Sequence, residues 1–277
     1  MSSLAPVART ADDLMTADRE ESKYLVSLER AEDLARTLDE HIPSHRFTGE
    51  AANRLPDPQH YVTTIYFDTP TRSQFQAALT NVDRNVKVRG KEYYDLHPSL
   101  AELATDPADI LHYQPWLWFE LKRREGDRTT KHRFRLPKCD VPRFFAGTGA
   151  ATESDEKTRS TLELIEGYCK SLQEPLQASC VVSYRRLSWQ LPDGTLRVTL
   201  DLDLAFFAPS DDLFSREEPL ERGRLGVPAL VHDRAVLEVK RRGSTPAWLE
   251  HALKRAGAEP SRFSKFVAAS HAVHGHV

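Results

Sequence analysis

Five segments of the chain alternate charged with apolar residues, and this alternation constrains the fold more than any other feature of the sequence. The segments span residues 85–93, 116–124, 180–189, 195–204 and 235–242. Because successive side chains of a β-strand point to opposite faces, each segment sorts its charged residues from its apolar residues. The pattern therefore predicts strands that have one apolar face and one charged face.

The charge on these faces is mixed in sign. The residues that share a charged face are Lys87 with Arg89, Glu120 with Lys122, Arg197 with Asp201 and Asp203, and Glu238 with Lys240. If helices cover the apolar faces, the charged faces of a rolled sheet point at one another and enclose a basic pore studded with carboxylates. Such a pore suits a polyphosphate and a divalent cation, because Arg and Lys bind phosphate oxygens and carboxylates bind hard cations.

Composition excludes several other classes of protein. The net charge of the 277 residues is only -3, so no global field draws the chain to nucleic acid or to an anionic membrane. Three cysteines without a CxxC pair argue against a disulfide framework or a zinc site, and favour reduced thiols. The sequence has neither a signal peptide nor an apolar run of about 20 residues. We therefore predict a cytoplasmic protein without a membrane segment and without a nucleic-acid partner.

The order of the elements predicts an α+β fold. We expect a flexible leader over residues 1–17 and a single domain over residues 18–277. Further strands are predicted at about 21–27, 61–68 and 128–137, and helices at 29–42, 157–173, 246–257 and 264–274. Loops are predicted at 96–115, at 138–156 with room for one short helix, and at 208–230. Residues 192–194 form a turn, so the strands on either side are predicted to pair as a hairpin, and Thr245 is expected to cap the helix that starts at Pro246. Hairpins between neighbouring strands favour an antiparallel sheet closed, or nearly closed, into a barrel with helices outside.

Seven short motifs follow one another along the chain: Glu21-Ser22-Lys23-Tyr24, Lys87-x-Arg89, Glu120-x-Lys122, Tyr184-Arg185-Arg186, Arg197 with Asp201-x-Asp203, LEVK at 237–240, and Phe263-Ser264-Lys265-Phe266. In this order they resemble the motifs of the VTC-type polyphosphate polymerase domain, a branch of the triphosphate tunnel metalloenzymes. The resemblance runs from about residue 18 to 270. No single motif is specific, but seven of them in register are.

The resemblance implies a tunnel of eight antiparallel strands that grips a triphosphate or polyphosphate and holds Mg²⁺ or Mn²⁺. In that family the polymerase moves the terminal phosphate of ATP onto a growing polyphosphate chain, while hydrolases and cyclases share the tunnel. The chain departs from the hydrolase pattern at Arg19, which stands where tunnel hydrolases carry the first Glu, and Lys87 replaces an Arg of the polymerase. The loss of one carboxylate favours a polymerase over a triphosphatase.

The candidate site residues follow from this pattern. Eight cations are predicted to bind phosphate and to stabilise charge during its transfer: Lys23, Lys87, Arg89, Lys122, Arg185, Arg197, Lys240 and Lys265. Five carboxylates are the candidate metal ligands, with Glu238 first, followed by Glu120, Asp201, Asp203 and Glu21. The expected substrates are ATP or another nucleoside triphosphate and polyphosphate or pyrophosphate.

Several alternatives stay open at this point. The charged faces of the strands could be a solvated surface, and Lys265 could be an ordinary surface lysine of a helix. Arg185 and Arg186 point to opposite faces, so only one of them lines the pore, and the motif favours Arg185. The same tunnel could also serve a triphosphatase or a non-catalytic module that binds polyphosphate. The sequence leaves open the nucleotide, the metal and the oligomeric state.

Overall fold

The computed structural model of the protein describes residues 20–45, 59–96, 116–126, 128–148, 156–216 and 218–275. The predicted leader and all but the first residue of the predicted loop at 96–115 lie outside these residues. All other predicted strands and helices fall within them.

Most of the predicted elements are confirmed. The longer described strands are β1 (Glu20–Ser27), β2 (Gln59–Asp68), β3 (Arg84–Leu96), β4 (Trp116–Glu125), β5 (Arg128–Pro137), β6 (Gln177–Gln190), β7 (Leu196–Phe207) and β9 (Arg234–Arg241), and two-residue strands are β8 (Leu230–Val231) and β10 (Glu259–Pro260). The described helices are α1 (Leu28–His41), α2 (Ser73–Thr80), α3 (Val141–Phe145), α4 (Glu156–Ser171), α5 (Ala247–Arg255) and α6 (Lys265–His274).

The strands form a large antiparallel sheet. Its order is β10-β1-β9-β7-β6-β2-β3-β4-β5, and β8 pairs with β7. The α+β class is therefore confirmed. Within the described residues no hydrogen bonds join β5 back to β10, so the closed eight-stranded barrel that the sequence predicted is not shown.

The chain divides into two compact units. The first unit comprises Met1–Phe47, Arg186–Leu202 and Asp233–Phe263. Its core lies where α1 and α5 cover the apolar faces of β7 and β9. The buried residues of this core include Leu34, Leu38, Leu196, Val198, Leu200, Leu237, Val239, Leu249 and Leu253. Helices thus cover the apolar strand face, as the alternation predicted, and the charged face is left on the other side of these strands.

The second unit comprises Thr48–Arg185, Asp203–His232 and Ser264–Val277. Its core lies on the apolar face of β2 to β5, where α3 and α4 pack. The buried residues include Ile65, Phe67, Val88, Leu117, Phe119, Leu121, Phe134, Phe144 and Ile165. A Cβ at Gly90 would lie 2.9 Å from Leu117 Cδ1, so this close approach of β3 to a core leucine favours glycine.

Two helix starts differ from the sequence prediction. Helix α2 was not predicted; the Asp68 carboxylate at the end of β2 accepts hydrogen bonds from the backbone of Thr69, Gln74 and Phe75, and so anchors the start of α2. The expected cap of α5 was wrong, because the N-cap residue is Pro246 instead of Thr245 and no side chain caps this helix.

Candidate active site

A first charged face lies in the first unit, across β1, β9 and β7. The register places Glu21, Lys240 and Arg197 in one row across the three strands, and Lys23, Glu238 and Thr199 in the next row. Asp201 follows on the same face of β7, since it is two residues beyond Thr199. We call this set, with Glu21, Lys23, Arg197, Asp201, Glu238 and Lys240, the mixed-charge face.

Two glutamates of the mixed-charge face converge on one ammonium group. Lys240 Nζ forms an ion pair with Glu238 and lies 3.8 Å from Glu21 Oε2. The other oxygen of Glu21 lies 3.4 Å from Lys23 Nζ. The Glu238 and Glu21 side chains are 18% and 28% exposed, so these carboxylates are accessible from solvent and lie near one another.

Asp201 pairs with an arginine, whereas Glu21 and Glu238 contact lysines. Both of its oxygens accept hydrogen bonds from the guanidinium of Arg186, at 2.5 and 2.7 Å, and the residue is 1% exposed. A planar guanidinium satisfies a carboxylate in this two-pronged way better than an ammonium does. The predicted metal role of Asp201 stays a prediction, and binding a metal would compete with this buried pair.

A second charged face lies in the second unit, across β3, β4 and β5. Its register gives three rows, which are Lys87–Lys122–Lys131, Arg89–Glu120–Arg133 and Lys91–Trp118–Arg135. We call these nine residues the cationic face, because seven of them are Lys or Arg and one is a carboxylate. Adjacent like charges about 8 Å apart repel by roughly 2 kcal/mol at an effective dielectric near 20. An anion bound to this face would relieve that repulsion.

The centre of the cationic face is a buried ion pair. Arg89 Nε and Nη2 each lie 2.7 Å from Glu120 Oε2, and the two side chains are 15% and 2% exposed. Burial by itself would raise the pKa of Glu120, but the charges of Arg89, Lys91 and Lys131 outweigh it and lower this pKa to about 2. Glu120 is therefore ionised in the folded protein, and it holds the Arg89 guanidinium in place.

Helix α6 contributes two further groups to the second unit. Ser264, its N-cap, accepts hydrogen bonds from the backbone of Val267 at 3.4 Å and from Lys87 Nζ at 3.1 Å. Lys265 Nζ lies 4.8 Å from the centroid of the Tyr184 ring, a cation–π contact. The late FSKF motif thus places one residue against Lys87 and the next against the tyrosine of the YRR motif.

Arg185 and Asp203 pair with one another away from these rows. Arg185 Nε lies 3.2 Å from Asp203 Oδ2, and both side chains are partly exposed. Arg185 is opposite Tyr61, whereas Arg89 is opposite Tyr66, five residues further along β2, so the two arginines lie on opposite faces of the sheet. Asp203 adopts a left-handed conformation, with φ of 54°, which interrupts the alternation of β7 at this residue.

The sequence matches the model of one known protein family over most of its length. The family model described as the VTC domain matches residues 18–274. The chain belongs to the VTC domain family. This confirms the resemblance that the seven motifs carried. Among curated proteins, none matches the chain.

Solved structures similar to this VTC domain include two proposed cyclases. A proposed adenylyl cyclase from Hippeastrum, with a dominant triphosphatase activity, has 15% identity and a TM-score of 0.48, and the match covers 90% of this chain and 93% of that one. A proposed adenylate cyclase from Bacillus halodurans has 14% identity and a TM-score of 0.47, with 91% and 97% covered. At these values the likeness supports no statement about the activity of this chain.

The mixed-charge face of the VTC domain fits a divalent cation that takes few protein ligands. No group of three or more His, Cys, Asp or Glu residues that could hold a metal occurs among the described residues. Mg²⁺ commonly uses only one or two carboxylates and takes its remaining ligands from phosphate and water. Glu238 and Glu21 meet that need, because both carboxylates lie at Lys240. Glu120, Asp201 and Asp203 instead contact arginines.

Sequence reasoning missed four cations of the cationic face: Lys91, Lys131, Arg133 and Arg135. The strand at 128–137 was predicted, but its charged face was not assigned. The signal was present, since residues 131, 133 and 135 are all cationic and alternate with His132 and Phe134. The VTC domain therefore carries a broader basic surface than its motifs alone indicate.

The second unit also buries an ion pair on the opposite face of β3, where Lys138 Nζ lies 3.6 Å from Glu92 Oε1. Burial raises the pKa of Glu92 to about 7, although Lys138 opposes this shift. Since Glu92 is three residues beyond Arg89, it points away from the cationic face, and we assign the pair to the fold of the VTC domain. Separately, none of the described helices has the length and hydropathy to span a membrane.

Proposed function

We propose that this VTC domain is a metal-dependent polyphosphate polymerase that transfers the terminal phosphate of a nucleoside triphosphate, with ATP as the expected substrate, to a polyphosphate chain. Membership of the VTC family supports this proposal, and so does the departure at Arg19 from the hydrolase pattern. The cationic face is the observation that carries it.

The cationic face matches the needs of a linear polyanion. Seven cationic side chains stand in three successive rows, with Glu120 the one carboxylate among them. Each hydrogen bond between such a group and a phosphate oxygen contributes roughly 1.5–3 kcal/mol. Each of the three rows contributes at least two cations, so a chain that runs along the strands meets positive charge over its whole length.

In the proposed reaction the bond between the γ-phosphorus and the oxygen that bridges it to the β-phosphate breaks. A new bond forms between the γ-phosphorus and an oxygen of the terminal phosphate of the chain, and the nucleoside diphosphate leaves. The acceptor oxygen is already anionic, so no residue needs to remove a proton from it. The Lys and Arg side chains act by positioning the two anions and by stabilising the charge that shifts between them.

The mixed-charge face is the proposed place for the metal. Glu238 and Glu21 would hold Mg²⁺ or Mn²⁺, which supplies neutralising charge to the phosphate oxygens when it is bound. Lys240 and Lys23 hold these two carboxylates near one another, because Lys240 contacts both glutamates and Lys23 contacts Glu21. Arg197, in the same row as Lys240, adds a donor for phosphate.

The decisive assay incubates the protein with ATP and Mn²⁺ or Mg²⁺ and resolves the phosphate products on a gel. We expect long polyphosphate to accumulate together with ADP, and chelation of the metal to stop both. Orthophosphate without chains would replace the polymerase proposal by a triphosphatase. Tight binding of polyphosphate without turnover would make the protein a binding module.

A further inference from the structure

Two tryptophans and two arginines on β4 and β5 form a stacked column at the edge of the cationic face. Arg135 Cζ lies 4.7 Å from the Trp116 ring centroid and 4.9 Å from that of Trp118. Arg133 Cζ lies 4.6 Å from the Trp118 centroid. We call these four residues the Trp–Arg column; they follow one another in the order Trp116, Arg135, Trp118, Arg133.

The stacking determines which parts of the guanidinium groups can bind a ligand. Arg135 Cζ lies over the rings of both tryptophans, and a guanidinium that stacks on indoles keeps its N–H donors, which lie in its own plane, available at its rim. Arg135 is exposed, and within the part of the chain that the structure describes it forms no ion pair with a carboxylate. The guanidinium N–H groups of Arg135 can therefore bind an acceptor from solution.

The chemistry of the column favours an anion with in-plane oxygen acceptors over a nucleobase. A base would have to stack on an indole, but Trp118 already lies against both arginines. A guanidinium fork binds phosphate oxygens through two parallel hydrogen bonds, and a fork that stacking holds in place loses less conformational entropy on binding.

The register connects the column to the rows of the cationic face. Arg133 shares a row with Arg89 and Glu120, and Arg135 shares the next row with Trp118 and Lys91. The three rows extend over about 13 Å along the strands, at roughly 3.3 Å per residue. β5 is the last strand of the described sheet, so the column marks an outer edge of this face.

We infer that the Trp–Arg column is a subsite for the polyphosphate chain, one that favours long chains over a triphosphate. The inference rests on the proposed function, because it names the substrate that the same face selects. A chain with more phosphates than a triphosphate reaches more rows, and it gains the arginines of the column in addition to the cations around Arg89.

The test measures dissociation constants for tripolyphosphate and for a chain of several tens of phosphates, by calorimetry at two salt concentrations. We expect Arg135→Ala to weaken binding of the long chain about tenfold, the loss of one charged hydrogen bond, and to change tripolyphosphate binding less than about twofold. Arg143→Ala, which removes an exposed arginine of α3, is the matched control and is expected to change neither constant.

Two further variants separate stacking from charge. Arg135→Lys keeps the charge but loses the planar fork, so it is expected to bind the long chain as weakly as the alanine variant. Trp118→Leu keeps both arginines, and we expect it to weaken binding of the long chain while thermal unfolding verifies that the protein is folded. Full affinity in the lysine variant would overturn the inference, since net charge would then account for binding.

Other results of these measurements would overturn either the inference or the proposed function. Arg135→Ala with unchanged affinity for both chains, or wild-type protein that binds neither, would overturn the column as a subsite. If calorimetry with ATP shows that Arg135→Ala loses more affinity for ATP than for the long chain, the column binds the nucleobase, and the inference is overturned. Wild-type protein that binds long chains through Arg135 but makes none would contradict the proposed function and leave the column standing.

Discussion

The two charged faces are built from the same alternation of strands but differ in their balance of charge. The mixed-charge face carries three cations and three carboxylates: Lys23, Arg197, Lys240, Glu21, Asp201 and Glu238. On the cationic face, seven cations stand with the single carboxylate of Glu120. The difference lies in the partner of each cation, since Lys240 lies between two glutamates whereas Lys87 donates to a hydroxyl group.

This contrast is the basis for the different roles that we propose for the two faces. On the mixed-charge face, the accessible Glu238 and Glu21 can exchange an ammonium contact for a metal ion. A face with excess positive charge is stabilised by an anion and would resist a cation. Substitution of single residues on each face tests whether the two faces have these separate roles.

The largest expected effect comes from Glu238→Gln on the mixed-charge face. The amide keeps the shape of the side chain but loses its charge, so we expect kcat to fall about 100-fold or more, as for loss of a group that stabilises transition-state charge. Binding of tripolyphosphate without metal is expected to be unchanged or stronger. Steady-state rates as a function of Mn²⁺ concentration, with calorimetry for the anion, measure both effects.

Glu20→Gln is the control for this variant. Glu20 also lies on β1, is largely exposed and pairs with Arg241, so its loss is expected to leave the rate and the Mn²⁺ dependence unchanged. Full activity of Glu238→Gln would show that the convergence of Glu238 and Glu21 on Lys240 has no role in metal binding.

The second effect concerns the stability of the cationic face. Glu120→Gln leaves the guanidinium of Arg89 poorly compensated in a buried position, which is expected to lower the free energy of unfolding by about 3 kcal/mol. Glu125→Gln, at the exposed end of the same strand, is expected to change it by less than about 0.5 kcal/mol. Urea denaturation measures both values.

A double variant sharpens this result. Glu120→Leu combined with Arg89→Met removes both charges, so it is expected to be more stable than Glu120→Gln, since no buried charge is left alone. If the double variant is as unstable as the sum of the two single changes, the contact between Arg89 and Glu120 does not couple them, and the ion pair is not what stabilises the centre of this face.

The sequence predicted much of this contrast, for a simple physical reason. Strand alternation has a fixed period of two, so residues such as Lys87 and Arg89, or Glu238 and Lys240, could be placed on common faces without coordinates. Alternation cannot say which strands become neighbours. The rows that join Glu21, Lys240 and Arg197 depend on the order β1-β9-β7, which is set by long-range pairing.

Two local features of the structure were not predicted by the alternation of residues along the strands. The left-handed conformation of Asp203 interrupts the alternation of β7, so Asp203 could not be placed with Asp201 by counting residues. Helix α2 is anchored by Asp68, which the sequence predicted only as the last residue of a strand. Periodicity also does not show the pairing partners of carboxylates, so the sequence left five candidate metal ligands, and our proposal of Glu238 and Glu21 rests on their contacts with Lys240.

The pKa of Glu120 leads to a pH-dependent prediction of intermediate size. Its pKa is lowered to about 2 in the folded protein from an ordinary value of 4.5. The contribution of the pair to stability is therefore complete above about pH 5 and is lost as the pH falls toward 2, and its full size is on the order of 3 kcal/mol. We expect the stability difference between wild type and Glu120→Gln to shrink between pH 5 and pH 3 in urea denaturation. A difference that stays constant over this range would contradict the lowered pKa.

The smallest expected effect on stability comes from substitutions of Ser264, the N-cap of α6. These substitutions change the partner of Lys87 and so test the difference between the two charged faces directly. Ser264→Ala removes the acceptor for Val267 and Lys87, and is expected to lower the free energy of unfolding by about 1 kcal/mol. Ser264→Asp restores a good N-cap, so its stability is expected to return to within about 0.5 kcal/mol of wild type.

The aspartate also places a carboxylate beside Lys87, which gives this lysine the kind of partner that Lys240 already has. We therefore expect Ser264→Asp to weaken tripolyphosphate binding severalfold in calorimetry while Ser264→Ala weakens it less. Equal affinities in the two variants would mean that the hydroxyl partner of Lys87 is not what keeps this face selective for anions.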